Sequence, residues 1–205
     1  SGRGFSFQQH EPLDMRLSGE LEISAFDIVN EYPEEELTSL IREYGEERYA
    51  KRIAHAVARE RSRESIRDTA TLARIVRSTV PPEYRHGRIH PATRTFQALR
   101  IAVNGELARL ESALEHGLEI LSVRGRIGVI SFHSLEDRIV KRFFRLKNRD
   151  CTCPPDWPVC KCGGRRVVDL VTRRPVTPTE AEPAGNPSAR SSKLRVAEQV
   201  HEEAL

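Results

Sequence analysis

The stretch Gly125-Arg126-Ile127-Gly128-Val129-Ile130-Ser131-Phe132-His133-Ser134-Leu135-Glu136-Asp137-Arg138-Ile139-Val140-Lys141-Arg142-Phe143-Phe144 constrains the fold most, because a β-rich apolar run enters a polar elbow and leaves it as a helix. Gly125 supplies the turn into a strand over Arg126 to Phe132. Ser134 reads as the helix N-cap, since Asp137 lies three residues on and a first-turn carboxylate complements the exposed N–H groups and the helix dipole. Leu135, Ile139, Val140, Phe143 and Phe144 then recur at helical spacing. In open α/β sheets ligands collect beyond the carboxyl ends of strands, which places Ser131, His133 and Ser134 on a functional rim. The plainer reading, that His133 and Ser134 only cap a helix, stands beside it.

Upstream, the pattern changes several times. Residues 1 to about 20 carry Arg3-Gly4-Phe5-Ser6-Phe7 and Pro12-Leu13-Asp14-Met15-Arg16 and read as an ordered loop. With no initiator methionine and no opening strand, the chain is expected to be an excerpt from a longer protein. From about Ser24 to Val80 the periodicity is helical. Pro33 with Glu34, Glu35 and Glu36 opens a helix whose stripe is Leu37, Leu40, Ile41 and Tyr44, and Gly45 ends it. A second helix carries Tyr49, Ile53, Ala56 and Val57 among many arginines. A third, opened by Thr69 or Thr71, carries Leu72, Ile75 and Val76 and stops before Pro81-Pro82. Pro91 starts a long stretch with Phe96, Leu99, Val103, Leu107, Leu110 and Leu114 on one face, which Asn104-Gly105 bends or breaks. The order helix, turn, strand, helix from Glu106 to Leu146 reads as half of a doubly wound α/β unit. Val167 to Thr172 is expected as a strand, Pro175 to Pro187 as a turn-rich connector, and Lys193 to Gln199 as a strand or a short helix.

Length and charge bound the function. The 205 residues suffice for one sizeable core or two small domains. A net charge of +3 is only mildly basic, so the placement of charge matters more than its total. No apolar run approaches the roughly 20 residues of a membrane span, no signal peptide is evident, and a cytoplasmic location is the expectation. All four cysteines, Cys151, Cys153, Cys160 and Cys162, fall within one loop at 151–162 as two C-x-C pairs, a donor set able to close a structural zinc site. The commoner zinc spacing is C-x-x-C.

Four motifs combine into a resemblance. Arg3-Gly4-Phe5-Ser6-Phe7 with Pro12-Leu13-Asp14-Met15-Arg16, then His90-Pro91-Ala92-Thr93-Arg94-Thr95-Phe96-Gln97-Ala98-Leu99-Arg100-Ile101, then Ser131-Phe132-His133-Ser134-Leu135-Glu136-Asp137-Arg138, and last Asn186-Pro187-Ser188-Ala189-Arg190-Ser191-Ser192-Lys193-Leu194-Arg195 occur in this order. Together they resemble the bacterial 16S ribosomal RNA (cytosine-N4)-methyltransferases over nearly the whole chain. The resemblance implies an α/β fold, here the second half of a doubly wound class I methyltransferase sheet with an inserted all-helical domain. It divides the chain into a loop of the methyltransferase domain at 1–20, a helical substrate-recognition insert at 21–90, and the C-terminal half of the methyltransferase domain at 91–205. It also implies S-adenosylmethionine as methyl donor and 16S ribosomal RNA or the small ribosomal subunit as partner. The family's glycine-rich cofactor loop, ribose-binding acid and strand-four motif have no counterpart in these residues, and Gly2-Arg3-Gly4 fails the G-x-G-x-x-G pattern because position 7 is Phe. The chain alone is therefore expected to be inactive.

The chemistry itself points to candidates. A cytosine amine is a poor nucleophile, so a protein must align it with the donated methyl and accept a hydrogen bond from its N–H. Asp14 offers an acceptor, Phe5 or Phe7 a stacking surface, and His133 or Ser134 a pocket rim, with Arg16 the remaining substrate-pocket candidate. The same residues also read as core aromatics and a local Asp14–Arg16 pair. Arg59, Arg61 and Arg63, with Lys141, Arg142 and Arg145, are candidate RNA phosphate contacts, or a solvated face. A non-enzymatic, zinc-stabilised nucleic-acid-binding module is the alternative function. A metal-dependent hydrolase built on His133 and Glu136 lacks a second histidine at metal spacing.

Overall fold

The computed structural model describes residues 2–87, 89–151, 153, 159, 161 and 164–201. They fall into two compact units that divide between Glu106 and Leu107.

The first unit is helical. It holds α1 (Ala25–Glu31), α2 (Glu34–Gly45), α3 (Ala50–Arg61), α4 (Thr69–Thr79), the short α5 (Pro82–Arg85) and α6 (Thr93–Asn104). Ser24 caps α1 in a reciprocal box with Asp27, and Asp68 caps α4 through the Thr71 N–H. The apolar stripes of these helices meet in one core that includes Ile28, Leu37, Ile41, Ile53, Val57, Leu72, Val76 and Leu99.

The N-terminal loop belongs to this same core, because Leu13 and Met15 are each only 1% exposed within it. Backbone bonds from Leu13 N to Arg67 O (3.1 Å), Thr69 N to Glu11 O (2.9 Å) and Phe26 N to Leu13 O (2.7 Å) fasten the loop to the starts of α4 and α1. Asn104, 2% exposed at the end of α6, donates to Met15 O and Arg100 O and accepts from Leu17 N, each at 2.8 Å. Its amide thereby satisfies backbone groups of loop and helix together. The unit boundary at 106/107 thus differs from the sequence divisions at 20/21 and 90/91, since the loop and α6 share a core with α1 to α4.

Gly105, with φ of +58°, breaks the long helical stretch into α6 and α7 (Glu106–Glu119). The second unit adds β1 (Arg126–Ser131), α8 (Ser134–Lys147), β2 (Val168–Leu170), a short α9 (Ala181–Gly185), a 3-10 turn at Pro187–Ser191, and β3 (Lys193–Gln199). The connector over 175–187 therefore contains a helical turn as well as loops.

The architecture is mixed α/β, and its described sheet has three strands in the order β1-β3-β2, with β3 antiparallel to both neighbours. Arg126 pairs with Glu198 and Ser131 with Lys193 at the ends of the β1–β3 register. One sheet face is covered by α7 and α8 through Leu114, Leu118, Val140, Phe144, Val168 and Ala197. Ile130 and Phe132, by contrast, are 58% and 53% exposed. No helix among the described residues is long and apolar enough to cross a membrane.

Candidate functional site

In the second unit, the polar elbow differs from the sequence reading by one residue. The N-cap of α8 is His133, not Ser134, and its box partner is Glu136, not Asp137. His133 has extended backbone angles, its Nδ1 accepts from the Glu136 N–H (3.4 Å), and Glu136 Oε2 accepts from the N–H groups of Phe132 (2.8 Å) and His133 (3.2 Å). The box takes up two of the donors that a bare helix N-terminus would offer an anion, the N–H groups of His133 and Glu136. Ser134 is the first helical residue and is exposed.

Asp137 is thereby released for a different task. Its carboxylate accepts from Arg195 Nε (2.7 Å) and Nη2 (3.3 Å) and from Lys193 Nζ (3.3 Å). Asp137 and Arg195 are 9% and 8% exposed, so the pair is buried. Burial pushes the Asp137 carboxyl upward, but the hydrogen bonds and charges of Arg195 and Lys193 outweigh it and hold the group below the usual carboxylate range. This contact ties the Ser131–Arg138 motif to the Asn186–Arg195 motif.

The two remaining motifs meet in the first unit. Phe7 stacks on His90 with ring centroids 4.5 Å apart and meets Phe96 edge-on at 5.2 Å. Arg94 donates to Glu46 O (3.1 Å) and Gln97 to Tyr44 O (3.0 Å), satisfying carbonyls at the end of α2. Phe5 packs at the edge of the core with the Arg3 guanidinium 5.9 Å from its ring centre. Asp14 is paired with Arg16 at 2.6 Å, and that hydrogen bond holds its carboxyl below the ordinary range. It is ionised near neutrality and is an acceptor only.

The basic candidates separate by environment. Arg59 and Arg63 are exposed and lie 3.4 and 3.8 Å from Glu60. Arg61 instead donates to Val29 O (2.7 Å) and Tyr32 O (2.5 Å), closing the carboxyl end of α1, so it serves the fold. Arg142 and Arg145 are exposed on α8, and Lys141 is half-buried. Of the four cysteines, Cys160 and Cys162 lie outside the described residues. The Cys151 sulfur accepts from Cys153 N, and the Cys153 sulfur from Lys161 N, both at 3.4 Å.

Sequence reasoning did not single out Arg74 and Arg77 on α4, or Arg85, and took His90 only as the head of a motif. They line a cleft of about 540 Å³ with Phe7 and His86. The signal was present as arginines three apart, which share one helix face.

The folded chain is thus a mixed α/β protein whose four motifs meet in two pairs, one in each unit. Residues 1–200 match the model of the MraW methylase family. The chain is 52% identical over 200 residues to ribosomal RNA small subunit methyltransferase H of Treponema denticola, covering 98% of this chain and 64% of that protein. A protein of the same name from Pelobacter propionicus is 54% identical over 198 residues, covering 97% of this chain and 63% of its own length. The chain accordingly spans a little under two thirds of the relatives it matches. It belongs to the MraW methylase family, and the resemblance carried by the four motifs is borne out.

Proposed function

We propose that this chain forms the RNA-recognition and C-terminal portions of an S-adenosylmethionine-dependent enzyme that methylates the N4 amine of a cytidine in 16S ribosomal RNA, acting in the cytoplasm on the small ribosomal subunit. The match to the family model over residues 1–200 carries the reading. In this reading the helices at 21–90 are the substrate-recognition insert of a methyltransferase domain that includes 1–20 and 91–205. The sheet is compatible with it: β1 and β2, both antiparallel to β3, run parallel to each other, and β1 keeps one edge without a partner among the described strands. That edge is where the remaining strands of a doubly wound sheet would add, beside the exposed Ile130 and Phe132.

The residues present do not fit the cofactor. Its cradle requires a glycine-rich turn from strand to helix. Here β1 enters α8 through Phe132 and His133, whose N–H groups are already bonded to Glu136. The cofactor site is assigned to the portion of the relatives outside the match. The role left to this chain is to position RNA and orient the amine; in the first unit the ionised Asp14 is a candidate acceptor for an N–H, and in the second unit His133 and Ser134 are separate candidates for RNA contact.

Calorimetric titration tests the proposal on the 205-residue chain and on a version extended to the relatives' full length. The extended protein is expected to bind S-adenosylmethionine and transfer methyl to small-subunit RNA, whereas the shorter chain gives no binding heat. An extended protein that binds RNA without methylating it would overturn the enzyme reading in favour of a nucleic-acid-binding module, and micromolar cofactor binding by the shorter chain would overturn the site assignment. The associated zinc proposal, four thiolates of Cys151, Cys153, Cys160 and Cys162 about 2.3 Å from one ion, predicts one zinc per chain by elemental analysis. Metal-free, folded protein would remove it.

A further inference from the structure

We infer that the cleft between α4, the end of α5 and His90 is a binding site for single-stranded RNA, with a phosphate held by Arg74 and Arg77 and a base stacked on the Phe7–His90 pair. This rests on the reading of the chain as part of an RNA-modifying protein.

Three independent features converge on the cleft. Arg74 and Arg77 sit three residues apart on α4, exposed, and among the described residues neither has a carboxylate within ion-pair distance. Two like charges on one helix face repel each other, so the arrangement is costly until an anion enters between them. Guanidinium groups meet phosphate through paired N–H donors, which makes arginine the better choice for that role.

The aromatic pair supplies a rigid ledge. The His90 ring lies 21° from parallel with Phe7, and its Nδ1 accepts from the Ala92 N–H at 3.2 Å, so both its tilt and its rotation are fixed. Phe7 is braced in turn by Phe96. Residue His90 is exposed, leaving its outer side available to a base. Partial burial, and then the nearby Arg77 charge, push its pKa below the ordinary value, so the ring is neutral at physiological pH.

The third feature is the wall formed by Arg85. Its Nε donates to Val80 O (3.0 Å) and its Nη2 to Ser78 O (2.9 Å), fixing a third positive charge at the carboxyl end of α4. A volume of about 540 Å³ admits a nucleotide. A phosphopeptide would satisfy the arginines but leave the aromatic ledge unused, so the combination favours RNA.

Fluorescence anisotropy of a labelled 12-nucleotide single-stranded RNA, titrated with the 205-residue chain, tests the site. The Arg74→Gln/Arg77→Gln variant is expected to bind at least about tenfold more weakly, with a salt slope reduced by about 0.7 for the one lost phosphate contact. His90→Ala should weaken binding roughly fivefold or more, and His90→Phe should restore it, because a base needs a flat face there and not a titratable one. Unchanged circular-dichroism melts exclude misfolding as the cause.

Parental affinity and slope in the double variant, failure of His90→Phe to rescue, or equal binding of a phosphorylated peptide at the same site would each overturn the inference. The reading of the whole protein fails separately. If the extended protein methylates RNA while Arg74→Gln/Arg77→Gln leaves its KM for RNA unchanged, the cleft is wrong and the enzyme stands. If the extended protein does not methylate but the variants lose RNA as expected, the cleft stands alone.

Discussion

Asp137→Ala is expected to destabilise the second unit by about 3–5 kcal/mol, because it leaves the Arg195 guanidinium buried without a counter-charge. Few single changes on the surface cost so much. Replacing both partners by apolar residues of similar volume, as in Asp137→Leu/Arg195→Met, should recover most of the loss, since a buried pair roughly balances its own desolvation. Urea unfolding followed by circular dichroism, with hydrogen exchange on the β3 amides, measures both effects. A loss below about 0.5 kcal/mol in the single variant would show that the pair is effectively solvated. The pH dependence has a defined sign. The folded carboxyl lies below its unfolded value, near 3.9, so its contribution is complete above that pH and is lost as pH falls through the folded value. The Asp137→Ala protein should therefore show a shallower acid limb than the parent.

Gly4→Ala is expected to cost about 2–5 kcal/mol in the first unit, from two sources that add. Gly4 has φ of +80°, a region that costs an L-residue roughly 1–2 kcal/mol. A Cβ there would also overlap the carbonyl oxygen of Pro12, which is backbone and cannot swing aside, and overpacking of this kind costs about 1–3 kcal/mol. The strain spreads because Glu11, only 6% exposed, accepts from Gly4 N (2.7 Å) and Gly2 N (3.2 Å), and Met15 N donates to Arg3 O (2.7 Å). Differential scanning calorimetry with hydrogen exchange at Met15 checks it. A melting temperature within a degree of the parent, with the Met15 amide still protected, would mean that the loop yields freely.

Much of this was legible in the sequence where signals are local. The stripes of α2 and α4 and the run of β1 depend on neighbours within a few residues, and the elements lie where periodicity puts them. The cap of α8 was misplaced by one residue because serine is the commoner cap by preference. What decides is the extended backbone at His133 and the reach of Glu136 back to it. The strand β3 was ambiguous between strand and helix for a different reason. Its inward positions include Arg195 and Gln199, so the apolar alternation that marks a half-buried strand is interrupted by the very residue that pairs with Asp137. The pairing of motifs, Phe7 with His90 and Asp137 with Arg195, spans 83 and 58 positions and leaves no periodic trace. Arg61 looked like its neighbours Arg59 and Arg63, yet its partners are the carbonyls of Val29 in α1 and of Tyr32 just past its end.

The Asn104 amide that joins loop to helix also carries a chemical clock. Asn-Gly is the dipeptide most prone to deamidation, because a glycine lets its backbone nitrogen curl back onto the side-chain carbonyl. In the folded unit both ends of that amide are engaged and helical backbone holds the attacking nitrogen away. Each opening of the end of α6 exposes the pair to attack, and conversion to aspartate would leave an acid facing the carbonyls of Met15 and Arg100, with no donor to give them. The age of a preparation would then be written first in the N-terminal loop, whose release would precede any loss of the helices beneath it.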